Sequence, residues 1–461
     1  MRRRSKRILA GIGIIIIGLG TLYAVALARS TTKLREAYAA LEKDGRPMNA
    51  ADVTPAKVPD EQNAAVLYKS AAAMLKAQVT QEGNLLKRLG ELSSAPFKKS
   101  DDPDKLARYK QEVAELERLM AQDVVVQAIS TIEQGTQRPA CQFFDGNANH
   151  GLSLEAPGTG DLRDLIRIVG TKVHFEAKAG RPQKAWDMIP TVLRFADGPR
   201  NEPSVESQFT RTAMINYTCG TIQTLCETAP PDDENYSKID GLLVSMDDVQ
   251  PMVRAVDAER LLLGKWLFNL PDDELFEMLR KNPWGMQDTE PGLPYRLTFR
   301  FTTFKPRFIA DHAAYLQIMN KSVRLLQSPY VPRESPEYKE IEKLMGHNFV
   351  SDKVTPMVWG IQWFHCRTTM TVRMTHAGLA VLRYKQAHGA WPQSLDALDL
   401  KNVTDPFSQQ PLHYRAEGEG FLVYSVGEDQ KDDGGIAEPV ERRGSHDMVW
   451  RFPEPKGPST K

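Results

Sequence analysis

The 461-residue chain carries 59 basic and 59 acidic residues, so its formal charge at neutral pH is zero. A balanced charge lacks the basic bias that attracts nucleic acids, and we expect no nucleic-acid partner. The hydrophobic fraction of 41% and the charged fraction of 26% are typical of globular proteins. The length gives room for roughly two or three domains. Four scattered cysteines are too few to indicate a disulfide framework.

The amino-terminal unit, residues 1–28, combines a basic tip with a long apolar run. An uncharged stretch from Ile8 to Ala28 follows the basic residues Arg2, Arg3, Arg4, Lys6 and Arg7. A helix needs about 20 apolar residues to cross a bilayer, so residues 8–28 predict a membrane anchor whose partner is the lipid bilayer. The basic residues are denser before the stretch than after it. The positive-inside rule therefore predicts a single-pass inner-membrane protein with a cytoplasmic N-terminus and its bulk in the periplasm.

A cleaved signal peptide is the alternative interpretation of the same stretch. Ala26, Leu27 and Ala28 match the small-residue pattern of a cleavage site. The apolar run exceeds the usual length of a signal-peptide core, which favours an uncleaved anchor.

Helical patterns dominate the chain beyond the anchor. Residues 29–57 are predicted to form a stalk, because a helix-like stretch ends at Asp44-Gly45-Arg46-Pro47. Residues 58–360 are predicted to be a helical region, in which apolar side chains recur at helical spacing. Within it, the turn from Ala179 to Pro182 predicts a helical hairpin, with proline at the first position of the second helix.

The C-terminal part, residues 361–452, changes from helical to strand periodicity. A long helical run ends at His388-Gly389, and residues 411–415, 421–426 and 448–452 predict three antiparallel strands. A helix packed on such a sheet buries one face of each. Residues 453–461 are predicted to be a disordered tail. The predicted fold class is therefore mainly α, with a transmembrane helix, a large helical middle region and a small α+β module.

The order of turns in residues 372–450 resembles that of a known family. Trp391-Pro392 follows the long helix, then come Asp405-Pro406-Phe407 and, before an acidic loop, Tyr424-Ser425-Val426-Gly427. This order resembles the C-terminal module of the type II secretion major pseudopilin, which is also found at the end of bacterial membrane-anchored proteins of unknown function. The resemblance covers roughly a sixth of the chain. It implies an extracytoplasmic assembly module and not a catalyst.

The resemblance also implies a calcium ion in the loop after the Tyr-Ser-x-Gly strand. Asp429, Asp432 and Asp433 are then the candidate metal ligands, with Asp447 as a more distant one. Calcium takes six to eight oxygen ligands, which closely spaced carboxylates on a glycine-containing loop can supply. The alternative is a solvated turn that closes a hairpin.

Common catalytic patterns are absent from the sequence, including the nucleophile elbow, the phosphate-binding loop and the metalloprotease helix. We therefore expect no enzyme, but a membrane-anchored structural or protein-interaction protein with an unnamed protein partner. One alternative is an enzyme whose site gathers Glu176, Glu259 and His365 in the helical region. Another is a true pseudopilin-like assembly subunit, although the sequence departs from that family by lacking the prepilin peptidase signature.

Overall fold

The computed structural model describes residues 2–80, 83–93, 103–146, 158–271, 273–275, 277, 305–345, 350–355, 360–436 and 446–454. Of the predicted disordered tail, only residues 453 and 454 lie within these ranges, so the prediction for the tail falls largely outside the described residues.

The helices are α1 Arg2–Lys43, α2 Ala64–Lys76, α3 Leu85–Ser93, α4 Pro103–Met120, α5 Asp123–Gly135, α6 Leu162–Lys178, α7 Pro182–Asp197, α8 Val205–Cys226, α9 Asp233–Met246, α10 Gln250–Ala258, α11 Lys265–Leu267, α12 Lys305–Leu326, α13 Pro336–Leu344, α14 Ser351–Val354 and α15 Ile361–His388. A π-helical segment, Glu259–Gly264, joins α10 to α11. The strands are β1 Val79–Thr80, β2 Gly83–Asn84, β3 His413–Glu417, β4 Gly420–Ser425 and β5 Met448–Phe452.

The fold class predicted from the sequence is confirmed. The chain is mainly helical, with one long apolar helix at its N-terminus and a small three-stranded antiparallel sheet near its C-terminus. The sheet has the order β3-β4-β5, and β4 is its fully buried central strand. The predicted hairpin is also present as α6 and α7. Helix α15 ends at His388 as predicted, because Gly389 takes the left-handed conformation (φ 72°) that terminates many helices.

The main hydrophobic core joins the helical region to the C-terminal module. Apolar side chains of α2 to α9 form one continuous cluster with α15 and the sheet. Helix α8 lies inside this layer and buries residues on every side, including the polar side chains of Thr218 and Gln208. Helix α15 packs against α8 and α9 on one side and against β4 and β5 on the other. The module is therefore attached to the helical region through a shared helix.

Polar contacts fix the position of α15 on the helical region. The Arg373 guanidinium donates from Nε and Nη2 to the Asp247 carboxylate at 2.7 and 3.1 Å, and from Nη1 to the carbonyl of Thr404 at 2.5 Å. One turn further along, His376 Nε2 lies 2.5 Å from Asp240 Oδ1. Bidentate pairs of this kind constrain orientation as well as distance.

A second hydrophobic cluster holds the N-terminal helix. Ala37 and Leu41 of α1 are buried together with apolar residues of α10, α11, α12 and α13. This arrangement differs from the stalk predicted at residues 29–57. Helix α1 continues without interruption to Lys43, and its second half packs along α12. The sequence pattern could indicate the helix but not its partner, which lies more than 270 residues away.

A close contact between α15 and β5 gives the first prediction. A Cβ added at Gly378 overlaps the indole ring of Trp450, which is itself buried. We expect Gly378→Ala to lower the free energy of unfolding by about 1–3 kcal/mol, because the ring has no space into which to move. Chemical unfolding followed by circular dichroism measures the change.

Gly220→Ala in α8 is the matched control. An added Cβ at Gly220 meets no atom within 4 Å. Alanine is the better helix former by roughly 0.5–1 kcal/mol, so this variant should be slightly stabilised. Equal stability of the two variants would contradict the packing described for Trp450.

Candidate functional site

The acidic loop after β4 contains the three predicted metal ligands. Asp432 Oδ1 accepts hydrogen bonds from the Tyr424 hydroxyl at 3.1 Å and from the Gly434 amide at 2.8 Å. The Gly434 amide is the main reason that the pKa of Asp432 lies below its usual range. Asp429 Oδ1 accepts instead from the Lys431 amide at 3.1 Å. Asp429 and Asp432 thus stabilise local turns within the loop.

Asp447, just before β5, contacts the acidic loop through its carboxylate. Its buried carboxylate accepts hydrogen bonds from the Asp433 amide at 3.3 Å and from the Gly435 amide at 2.7 Å. Burial raises the pKa of Asp447, and the negative charges of Asp432 and Asp433 raise it further. The structure therefore brings Asp432, Asp433 and Asp447 into one electrostatic neighbourhood.

The fit of this loop to a metal ion can be judged from its donors and acceptors. Carboxylate oxygens of Asp432 and Asp447 already accept hydrogen bonds from hydroxyl or amide groups of the loop. In the described part of the chain, no three histidine, cysteine, aspartate or glutamate side chains are placed so that they could hold a metal ion. The loop geometry is that of a turn network that closes on itself, and calcium binding stays a prediction.

The three residues considered for an enzyme site have separate partners. Burial raises the pKa of Glu176, but hydrogen bonds from Arg181, Lys172 and Lys184 outweigh this effect and hold the pKa at about 2. The result is a permanently ionised carboxylate at the end of the α6–α7 hairpin, which links the two helices.

Glu259 and His365 lie in other environments. Glu259, in the π-helical segment, accepts a hydrogen bond from the Val205 amide at 2.8 Å. Burial raises its pKa to about 8, and the nearby charge of Glu206 adds to this shift. His365, in the first turns of α15, has its pKa lowered to about 4 by burial. Neither makes a described contact with Glu176, so the structure offers no common site for the three.

A cleft of ≈ 400 Å³ lies between the helical region and the chain that follows α1. Residues 47–58 form one wall, and the other walls include Cys141, Glu202 and Asp257. The Glu202 carboxylate accepts hydrogen bonds from the amides of Phe143 and Phe144, at 2.7 and 3.2 Å. Burial raises the pKa of Glu202 to about 7. Because each carboxylate oxygen accepts one of these hydrogen bonds, Glu202 holds the chain at Phe143 and Phe144.

An ionic clamp joins the end of α1 to the rest of the protein. The Arg324 guanidinium donates to both oxygens of Asp44, at 2.6 and 2.9 Å, and Asn320 adds a third hydrogen bond at 2.8 Å. The bond from Arg324 is the main reason that the pKa of Asp44 is lowered. Two residues later, Arg46 pairs with the buried Asp257 at 3.3 Å.

The clamp continues from Asp257 into the π-helical segment. Arg260 donates to the other oxygen of Asp257 at 3.1 Å and also to the carbonyl of Pro47. The sequence predicted Asp44-Gly45-Arg46-Pro47 only as a helix stop. It carried no signal that the charges of this turn also bind α12 and the π-helical segment.

Comparisons of the chain with protein-family models, with curated proteins and with solved structures found no match.

The buried Glu259 gives a pH-dependent prediction. Its pKa is about 8 in the folded protein, against a reference value of 4.5. The folded state therefore binds the proton more tightly, and the contribution to stability is complete below about pH 4.5 and is lost as the pH rises towards 8. Each unit of difference in pKa corresponds to about 1.4 kcal/mol. We expect Glu259→Gln to reduce this loss of stability.

Unfolding in denaturant from about pH 5 to about pH 9 measures the effect. Glu133→Gln, at an exposed glutamate of α5, is the control and should leave the pH profile unchanged. An identical profile for Glu259→Gln and the parent protein would contradict the assignment of a raised pKa to this carboxyl.

Proposed function

We propose that this protein is a membrane-anchored structural or protein-interaction protein whose bulk lies outside the cytoplasm. The single observation that carries the proposal is the contrast between the exposed apolar part and the packed part of α1. Its first part is apolar and exposed, with Ile14 and Ile17 about 70% accessible, whereas its second part is packed into the body. Exposed isoleucines in such a run are unfavourable in water and favourable in a bilayer.

The charge distribution supports the proposed orientation. Five basic residues precede the apolar stretch within the first seven positions, and no acidic residue accompanies them. Positive charge of this density favours retention of the N-terminus in the cytoplasm. The body, which follows the stretch, is then placed in the periplasm of a cell with two membranes.

The C-terminal module is the part for which we propose a role in interaction or assembly, with calcium as a stabilising ion. This part of the proposal rests on the pseudopilin resemblance of the sequence, and its residues form three strands and a turn at Asp405. Asp405 is fully buried, and its carboxylate accepts hydrogen bonds from the Ser425 hydroxyl at 2.9 Å and from the Val426 amide at 3.1 Å. In the acidic loop, Gln430 has φ 58°, a conformation that glycine usually supplies.

The proposed anchor predicts how the full-length protein behaves in membranes. The protein should remain in the membrane fraction after alkaline carbonate extraction. Replacing both Ile14 and Ile17 by lysine should release it, because each charge at the centre of a span costs roughly 2.5–3.5 kcal/mol.

The control is Val79→Lys, which changes an apolar side chain that is 88% exposed but lies in the short strand β1. Release of the parent protein by carbonate, or release of the control variant, would sink the anchor proposal. Protection of the body from protease added to intact inner-membrane vesicles, whose outer face is the cytoplasmic one, tests the orientation.

The proposed calcium site predicts a shift in thermal unfolding. If calcium binds only the folded protein, it raises the unfolding midpoint by mass action, and a chelator reverses the rise. Asp432→Ala should abolish the shift. Asp396→Ala, at an exposed aspartate of the same module, should retain it. An unfolding midpoint that is independent of calcium in the parent protein would identify the loop as a turn without a metal.

A further inference from the structure

The contact between α1 and α12 begins almost where the apolar stretch ends. The residues of α1 that face the body are Ser30, Leu34, Ala37, Leu41 and Asp44, at alternating spacings of four and three. This is the pattern of a helix packed along a second helix. Ser30 is already buried, at 4% exposure, although it lies two positions after Ala28. The protein therefore has no spacer between the apolar stretch and the body.

Two contacts give the register of the helix pair. The Tyr38 hydroxyl lies 3.5 Å from Nε2 of His312, and Asp44 accepts from Asn320 at 2.8 Å. The contacts advance together along both helices, so α1 and α12 run parallel. The same offset places Lys305, the first residue of α12, beside Ser30.

This register fixes the height of α12 above a bilayer that α1 spans. One residue of a helix rises about 1.5 Å, so Ser30 lies about 3 Å beyond Ala28 along the axis. The headgroup layer extends roughly 5–7 Å beyond the hydrocarbon core on each side. The first turn of α12 therefore lies at the level of the lipid headgroups.

Exposed basic residues lie at or just beyond this level on both helices. The backbone of Lys33 and that of Arg35 lie roughly 8 and 10 Å beyond Ala28, and their long side chains can extend back to the headgroups. Arg29, Lys33 and Arg35 of α1 are exposed, and so are Lys305 and Arg307 of α12. The same two stretches contain two acidic residues, Glu36 and Asp311.

The two acids do not neutralise the cations equally. Asp311 is buried and accepts hydrogen bonds from the amides of Val350 and Ser351, at 2.8 and 3.0 Å. Its carboxylate is thus directed into the protein, whereas Glu36 is exposed. Among the described residues of these two stretches, 29–36 and 305–311, the exposed charges are therefore mostly positive, although Arg307 already has an interaction partner.

We infer that the body rests on the bilayer, and that the basic collar formed by Arg29, Lys33, Arg35 and Lys305 binds the phosphate groups of anionic phospholipids. The inference rests on the proposed anchor and extends it by defining a lipid-binding surface. Phosphate oxygens suit both types of side chain, since guanidinium and ammonium groups donate several charge-assisted hydrogen bonds.

The height of the collar is tested with a fluorophore on full-length protein in nanodiscs. Cysteine is introduced at Lys305, or at Lys43 as the control, in a Cys141→Ala background. The other three native cysteines are buried and shielded from the label. Lys43 lies fifteen positions beyond Ala28, or roughly 22 Å along the axis. A lipid that carries a quencher in its headgroup should quench the label at 305 strongly and the label at 43 weakly.

The charge preference is tested with the same nanodiscs and a quencher on phosphatidylglycerol or on phosphatidylcholine. The protein labelled at position 305, with Lys33 and Arg35 intact, should enrich the anionic lipid near the label. Replacing Lys33 and Arg35 by glutamine should reduce that enrichment by roughly five-fold per removed cation at low salt. Lys43→Gln should leave it unchanged.

The outcomes separate this inference from the proposed function. A protein that resists carbonate extraction but shows equal quenching at positions 305 and 43 keeps its anchor and overturns the resting surface. Strong quenching at position 305 without any preference for the anionic lipid overturns the binding of phosphate groups. Extraction of the protein by carbonate would overturn the proposed anchor itself.

Discussion

The parallel packing of α1 along α12 is the interaction on which the arrangement of this protein depends. It fixes a helix of 42 residues, about 63 Å long, by burying one stripe of its second half. The apolar contacts of α1 hold the two helices together, and the pairing of Asp44 with Arg324 fixes the register between them. Arg46 and Asp257 then direct the chain away from the helix. The elements that pack with α1 therefore contact a helix whose orientation these interactions fix.

The same division between apolar packing and polar registration recurs at α15. Its apolar side chains belong to the main core, which does not by itself select one helix rotation. The polar contacts do so, because Thr375 accepts a hydrogen bond from Gln223 at 3.1 Å and Arg373 pairs with Asp247. Breaking one partner of a buried pair is costly, so these contacts oppose sliding of the helix. Because β4 and β5 pack against α15, the position of α15 determines that of the C-terminal sheet.

The sequence allowed most elements to be predicted because their signals are local. Helical periodicity, the glycine after His388 and the β-branched and aromatic residues in 421–426 each lie within one segment. The pairing of Asp44 with Arg324 joins residues 280 positions apart, and no local pattern specifies such a partner. The π-helical segment was also missed, because its residues are ordinary helix formers. For the acidic loop, the sequence could not indicate that amide and hydroxyl donors of the loop occupy carboxylate oxygens of Asp429, Asp432 and Asp447.

The cleft wall at residues 47–58 follows directly from the end of α1. Because α1 is one continuous helix whose second half packs along α12, a tilt or axial rotation of the proposed span would also turn the cleft. Viewed along the membrane normal, the cleft would then always open in the same direction relative to the side of α1 that faces the lipid. A neighbouring membrane protein that packs against that stripe would always encounter the same side of the cleft.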